Sequence, residues 1–145
     1  AHSVIVCAEA TRVYRKDFVR DPFGFPPAAA VALQAARELT AYDVTRARNT
    51  VAKARSVIRS ALGEHILLSP VLPMAPAGRH ATSVRLRGVR EHITNANIRL
   101  TVWASVADLP VAVAPLNGLA VQFTAPPGAD EDALAAMAWA AAQIR

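Results

Sequence analysis

The chain has 145 residues, 53% of them hydrophobic and 19% charged, with a net charge of +5 and a pI near 10.3. This length allows one ordinary domain, and the composition excludes an intrinsically disordered chain. A single cysteine, Cys7, excludes an intrachain disulfide and favours a reducing compartment, so we expect a cytoplasmic protein. The longest uncharged stretch, residues 109–129, contains four prolines that would break a spanning helix, so we expect no membrane segment.

The first forty residues are predicted to form two helices joined by a loop. Apolar side chains recur at helical spacing in residues 4–15, and Cys7 on that face is interpreted as a small buried apolar residue. Residues 20–27 are rich in proline and glycine and predict a loop. Because proline fits the first turn of a helix, a second helix is predicted over residues 28–39.

A third helix is predicted over residues 41–62. Thr40, with Asp43 three residues later, is typical of a helix N-cap. Gly63 follows the last helical residue, where glycine commonly ends a helix.

Basic residues cluster on this helix, and the cluster raises the possibility of nucleic-acid binding. Nucleic-acid binders usually add aromatic residues that stack on bases, or a recognisable module, and neither accompanies the cluster. We therefore interpret it as a solvated helix face and expect no nucleic-acid partner, with a basic nucleic-acid binder as an alternative. The cluster consists of Arg46, Lys53 and three arginines that share one face of the helix, Arg48, Arg55 and Arg59.

An apolar run enters a proline-rich stretch at residues 66–76. Residues 66–68 predict a short strand buried on both faces, because the run shows no alternation. Proline donates no backbone hydrogen bond, so the strand pairing is predicted to stop near Pro70. The stiff, uncharged loop that follows either terminates the strand or forms the wall of a pocket.

The rest of the chain is predicted to mix strands and helices. Asn117-Gly118 lies between two apolar runs and is a strong turn signal. The acids Asp130, Glu131 and Asp132 are interpreted as the first turn of a helix rather than as a catalytic pair. The predictions are an irregular basic segment over 77–90, a weak helical pattern over 91–105, strands over 109–115 and 119–125, a loop over 126–128 and a helix to the end.

The histidines do not predict a metal site. His65, His80 and His92 are unevenly spaced, with no cluster of acids or cysteines near them. Metal sites need several convergent ligands, so we expect surface or loop histidines, no metal and no cofactor.

Four segments match known motifs in the same order along the chain. The matches are D-x-L-L-x-P-x-x-P-x-x-A-P at residues 66–76; T-x-P-x-N-x-x-G-x-P-A-x-x-x-P at Thr101, Pro110, Ala112 (one place late) and Pro115; G-V-Q-L at residues 120–123; and G-x-D-x-x-L-L-x-x-A from Gly128. In the order of these segments the chain resembles the C-terminal portion of the amidase signature family. Five positions depart from the family pattern: Trp103 and Gly118 replace prolines, Ser105 replaces an asparagine, and Asp108 and Ala120 replace glycines.

The resemblance implies an α/β fold, a mixed sheet flanked by helices, of which residues 1–145 would be the incomplete C-terminal part of a single domain. It also implies hydrolysis of a small organic amide by a serine nucleophile, a second serine and a lysine. This chain has no Gly-Ser-rich run to carry them, so we expect no catalytic residue here. An upstream region or a partner chain would supply the set.

The same resemblance implies which residues of this chain form part of the substrate pocket. The prolines would keep its wall rigid, and the apolar side chains would favour an amide with an apolar group. The alternative is a non-catalytic assembly or binding subunit that keeps the family shape. The substrate-binding residues implied are Pro70, Leu72, Pro73, Met74 and Trp103.

Overall fold

The computed structural model describes residues 1–143, and contacts divide the chain into two units, Ala1–Ala54 and a second unit that begins at Arg55. The first unit is helical. Its elements are α1 (His2–Arg20), a 3-10 turn (Pro22–Gly24), α2 (Pro27–Ala36) and the first part of α3 (Ala41–Leu62).

Aromatic packing closes the turn between α1 and α2. The Phe25 ring packs edge-on against Tyr14 and Phe18, with ring centroids 6.0 and 5.5 Å apart. Asp21 caps the 3-10 turn by accepting a 3.0 Å hydrogen bond from Gly24 N. Cys7 is only half-buried, and none of the 19 residues of α1 is fully buried, so the prediction of a buried Cys7 is wrong.

The predicted ends of α3 are confirmed. Asp43 N donates to Thr40 Oγ1 at 3.2 Å, and Thr40 N donates to Asp43 Oδ2 at 3.0 Å, which is a reciprocal cap. Hydrogen bonds from the Thr40 hydroxyl and then its backbone N–H hold the pKa of Asp43 below its ordinary value, because both favour the carboxylate. Gly63 ends the helix with φ +58°.

The second unit is built on a three-stranded antiparallel sheet, and the predicted mixed α/β class is confirmed. Asn117 and Gly118 have φ values of 49° and 78° and form the predicted hairpin turn. The alternation of β4 and β5 places Ala112 and Phe123 on the face that α6 covers, where they pack with Ala133. The strands lie in the order β1 (Leu67–Pro70), β5 (Leu119–Thr124), β4 (Val111–Leu116), and α6 spans Asp130–Gln143.

The apolar run at residues 66–68 is less buried than predicted. Leu67 and Leu68 are 44% and 55% exposed, so the prediction of burial on both faces is wrong. The reason is position: β1 is an edge strand that pairs only with β5, while α6 packs on β4 and β5. The predicted end of strand pairing near Pro70 is confirmed. The last hydrogen bond to β5 lies one residue after Pro70, where Val71 N donates to Ala120 O at 2.9 Å.

The segment predicted to be irregular, residues 77–90, instead contains most of a hairpin. Strands β2 (Ser83–Leu86) and β3 (Val89–His92) pair antiparallel. Arg87 and Gly88 connect them with φ values of 49° and 82°, the geometry of a tight two-residue hairpin turn.

The weak helical pattern over residues 91–105 becomes two short helices, α4 (Ile93–Ile98) and α5 (Val102–Ala107). Arg55 Nε donates to Val106 O at 3.0 Å, and Arg59 Nε donates to Ala107 O at 2.7 Å. These bonds satisfy carbonyls that lack partners at the end of α5. The solvated-face interpretation is therefore wrong for Arg55 and Arg59. Within residues 1–143, no helix combines the length and the apolar character needed to cross a membrane.

Candidate functional site

A pocket of about 570 Å³ lies on the sheet face opposite the face that packs against α6. Val111 and Val113 of β4 and Gln122 of β5 line it from the sheet, because strand alternation turns these three residues away from Ala112 and Phe123. The opposite wall comes from α5 and the residues around it, and from the start of α6; it includes Thr101, Ala104, Ser105, Asp108 and Asp130.

Gln122 is the buried polar residue of this pocket, at 1% exposure. Its Nε2 donates to Leu100 O at 2.5 Å and to Ser69 Oγ at 2.9 Å. A carbonyl oxygen only accepts, so the amide nitrogen must face Leu100. Both of its N–H groups are then used, and the group that Gln122 has left to offer is the acceptor Oε1.

Trp103 shares an acceptor with Gln122. Trp103 Nε1 donates to Leu100 O at 2.8 Å, so this one carbonyl accepts from both side chains. A carbonyl oxygen has two lone pairs, and the two bonds use both. The shared acceptor ties the side chains of α5 and β5 together, which fixes the indole relative to the floor of the pocket.

Asp108 occupies a conformation that few residues adopt. It follows α5 with φ 57° and ψ 55°, the left-handed region that aspartate tolerates better than most residues. Arg59 Nη2 lies 3.4 Å from Asp108 Oδ2, in a largely exposed ion pair that contributes little to stability. Asp130, in the first turn of α6, complements the positive end of that helix.

The polar groups around this pocket are mainly hydrogen-bond acceptors. The two carboxylates of Asp108 and Asp130 and the Oε1 of Gln122 only accept, while the hydroxyls of Thr101 and Ser105 can do both. Among the described lining residues there is no lysine or arginine. The pocket is therefore suited to a group that donates hydrogen bonds.

None of the five substrate-binding residues expected from the sequence lines this pocket. They lie close to the hydrogen bonds that Gln122 makes at its edge. Pro70 is the last residue of β1 and is exposed, whereas Leu72, Pro73 and Met74 follow it and are half-buried. Trp103 is half-buried as well. Gln122 links these places, because it bonds Ser69, next to Pro70, and shares the Leu100 carbonyl with Trp103.

Sequence reasoning did not single out Gln122 as a site residue. A signal was present, since Gln122 is the one strongly polar side chain in the apolar run of residues 119–123. A buried amide in a strand must find hydrogen-bond partners, and this requirement marks it as a structural or binding residue.

The described side chains form no nucleophile–base pair. The hydrogen bonds of residues 1–143 join no serine hydroxyl to a histidine or lysine. The same residues hold no group of three or more histidine, cysteine or acidic side chains placed to bind a metal ion.

Neither a protein-family model nor a curated protein matches the chain. Among solved structures, it is similar to the crystal structure of an amidase, with a TM-score of 0.90 and 28% identity over 99% of this chain and 34% of that one. It is also similar to two structures of a vestigial protein complex that reveals the evolutionary origins of an s-triazine catabolic enzyme. One has a TM-score of 0.79, covering 91% of this chain and 31% of that one; the other, bound to an inhibitor, has 0.77, covering 88% and 30%; both are 22% identical.

The chain therefore has an amidase-like fold, and it spans about a third of the length of these solved structures. The two structures at 22% identity support the fold alone. The amidase structure is 28% identical over nearly the whole chain.

Proposed function

We propose that this chain is part of an amidase-type hydrolase acting on a small organic amide. In this proposal the chain completes the fold and forms part of the substrate pocket, in the cytoplasm. The catalytic serines and lysine come from an upstream region or a partner chain. The observation that carries the proposal is the similarity to an amidase over 99% of this chain but only 34% of that enzyme.

The 570 Å³ pocket supports a binding role. Its volume falls in the range of small-molecule sites. Asp108, Asp130 and the free Oε1 of Gln122 can accept hydrogen bonds from the N–H groups of an amide. Val111 and Val113 give it an apolar side for the rest of the molecule.

A second part of the proposed pocket wall is the segment after β1. Pro70 and Pro73 restrict the backbone of this segment, and Leu72 and Met74 provide half-buried apolar surface. We assign these four residues and Trp103 to the substrate-facing surface of the complete assembly. A rigid wall without ionisable groups favours an amide that carries an apolar substituent.

Trp103 gives a test of this assignment. Replacing Trp103 with alanine removes an indole from the proposed substrate-facing surface, so we expect activity of the complete assembly to shift toward bulkier amides. Replacing it with phenylalanine keeps an aromatic ring and removes the hydrogen bond to Leu100 O, a cost of about 0.5–1.5 kcal/mol. Substrate range and melting temperature of both variants check the prediction. A loss of about 3–5 kcal/mol in the alanine variant, with unchanged substrate preference, would show a purely structural tryptophan.

The proposed function itself is tested with a serine-directed fluorophosphonate probe on the complete assembly. We expect covalent labelling in the region that supplies the catalytic serines, and none in residues 1–145, because Ser69 is engaged by Gln122 and lacks a base. Heat-denatured assembly controls for nonspecific labelling. Labelling of Ser69 or Ser105 would overturn the assignment of catalysis to another region.

The alternative function is a non-catalytic assembly or binding subunit. The two functions differ in whether another region or a partner chain carries the serine–serine–lysine set. The same experiment separates the two functions: an assembly that neither reacts with the probe nor hydrolyses any amide supports the non-catalytic subunit.

A further inference from the structure

A second pocket, of about 640 Å³, lies in the first unit along α1 and α2. Its floor is apolar, with Phe18 of α1 and Leu33 of α2. Three arginines, Arg12, Arg15 and Arg37, also line it. The functional proposal for the second unit makes no use of this pocket.

No ion pair within residues 1–143 neutralises the arginines at this pocket. Arg12 and Arg15 are three residues apart on one face of α1, where like charges destabilise a helix. No carboxylate is among the described lining residues, and within residues 1–143 neither arginine is in an ion pair. The side chain of Arg37 donates one hydrogen bond within residues 1–143, to the neutral amide of Gln34 at 3.5 Å.

The helix dipole explains only one of these arginines. Arg37 is the C-cap of α2, where a cation stabilises the negative end of the helix. Arg12 and Arg15 lie in the interior of α1, before its last turn. Both arginines line the same cavity, and the helix dipole does not account for that placement.

We propose that this pocket binds an organic carboxylate with an apolar body. Guanidinium groups pair with carboxylates through paired, charge-assisted hydrogen bonds, which Arg12 and Arg15 would form. The apolar body lies on Phe18 and Leu33. The proposal of carboxylate binding does not depend on amide hydrolysis, and it applies whether or not the complete assembly is an amidase.

The test measures binding to the complete protein by calorimetry with three matched probes: 4-phenylbutyrate, 4-phenylbutanol and 4-phenylbutylamine. We expect the carboxylate to bind at least about tenfold more tightly than the alcohol, and the amine to bind most weakly, because the guanidinium groups attract only the anion. Equal binding of the carboxylate and the alcohol would overturn the proposal, and so would the absence of binding by all three.

Substitutions of the lining arginines test whether the carboxylate binds in this pocket. The double variant Arg12→Gln, Arg15→Gln should weaken carboxylate binding by at least about tenfold. Arg20→Gln is the matched control: it removes a charge from the same helix, but Arg20 is paired with Asp17 and does not line the pocket. If α1 does not tolerate the double change, Arg37→Gln tests the pocket from α2. Unchanged affinity in the pocket variants, or equal loss in Arg20→Gln, would show that the carboxylate binds elsewhere.

Discussion

Replacing Gln122 with glutamate is expected to destabilise the second unit strongly at neutral pH. The side chain is 1% exposed, and its nitrogen lies 2.5 Å from Leu100 O. A carboxylate there loses solvation and faces a carbonyl oxygen that cannot donate. Burial of this kind raises the pKa of a carboxyl by up to about 3–5 units, and each unit corresponds to about 1.4 kcal/mol. We expect a loss of about 4 kcal/mol or more at pH 7.

The pH dependence identifies the cause. The folded variant keeps its proton at pH values where the unfolded chain has lost it, so its stability falls as pH rises between the two pKa values. Acidification toward pH 4 should therefore recover part of the loss. Gln122→Met removes the same hydrogen bonds without adding a charge, and we expect its smaller loss to change little with pH. Urea unfolding of the complete protein at several pH values measures both, and equal pH profiles would contradict the explanation.

Replacing Phe123 with alanine is expected to cost about 3–5 kcal/mol of unfolding free energy. The ring is 4% exposed and packs in the core formed with Ala112, Ala125 and Ala133. The other fully buried residues of this core are alanines, which are too short to fill the space that the ring leaves, and only partly buried side chains such as Met137 pack around them. A cavity should therefore remain, and its cost adds to the lost burial.

Leu119→Ala provides the control for Phe123. Leu119 lies on the same strand but is 64% exposed, so its truncation should change the free energy by about 0.5 kcal/mol or less. Urea unfolding measures both variants. A change below about 1 kcal/mol for Phe123→Ala, or equal costs for the two variants, would show that the ring is not the centre of this core.

The elements that the sequence predicted correctly depend on neighbouring residues. Thr40 and Asp43 cap the same helix turn, and Gly63 provides the left-handed conformation after the last turn. Asn117-Gly118 bends the chain between two apolar strands in the same way. In each case the residues that cause the feature are at most three positions apart, so a short window contains the information.

The features that the sequence did not predict depend on distant partners. Arg55 and Arg59 were placed on one helix face, but their acceptors are 51 and 48 residues away. Leu67 and Leu68 are exposed because α6 packs on the other two strands, which an apolar run cannot indicate. The hairpin turn at Arg87-Gly88 did carry a local signal, but the arginines in its strands concealed the alternation of apolar residues.

The candidate site was predictable only in part. Ser105 and Asp108 stood out as polar departures from a motif, and both line the 570 Å³ pocket. The shared acceptor at Leu100 could not be predicted, since it depends on how α5 meets the sheet. The assignment of Pro70, Leu72 and Met74 to a substrate wall stays a prediction, because it concerns the complete assembly.

The alanine-rich core also limits how this chain can change by mutation. Of the twelve buried apolar residues within positions 1–143, nine are alanines. An alanine can become smaller only as glycine, which weakens a helix or a strand, and any other apolar replacement adds volume to a filled space. Ala133 and Ala125, at 1% and 0% exposure, lie where α6 meets the sheet. Neutral substitutions should therefore accumulate slowly where α6 packs on the sheet and faster on the exposed surfaces around it. This interface would keep its sequence longest as relatives diverge.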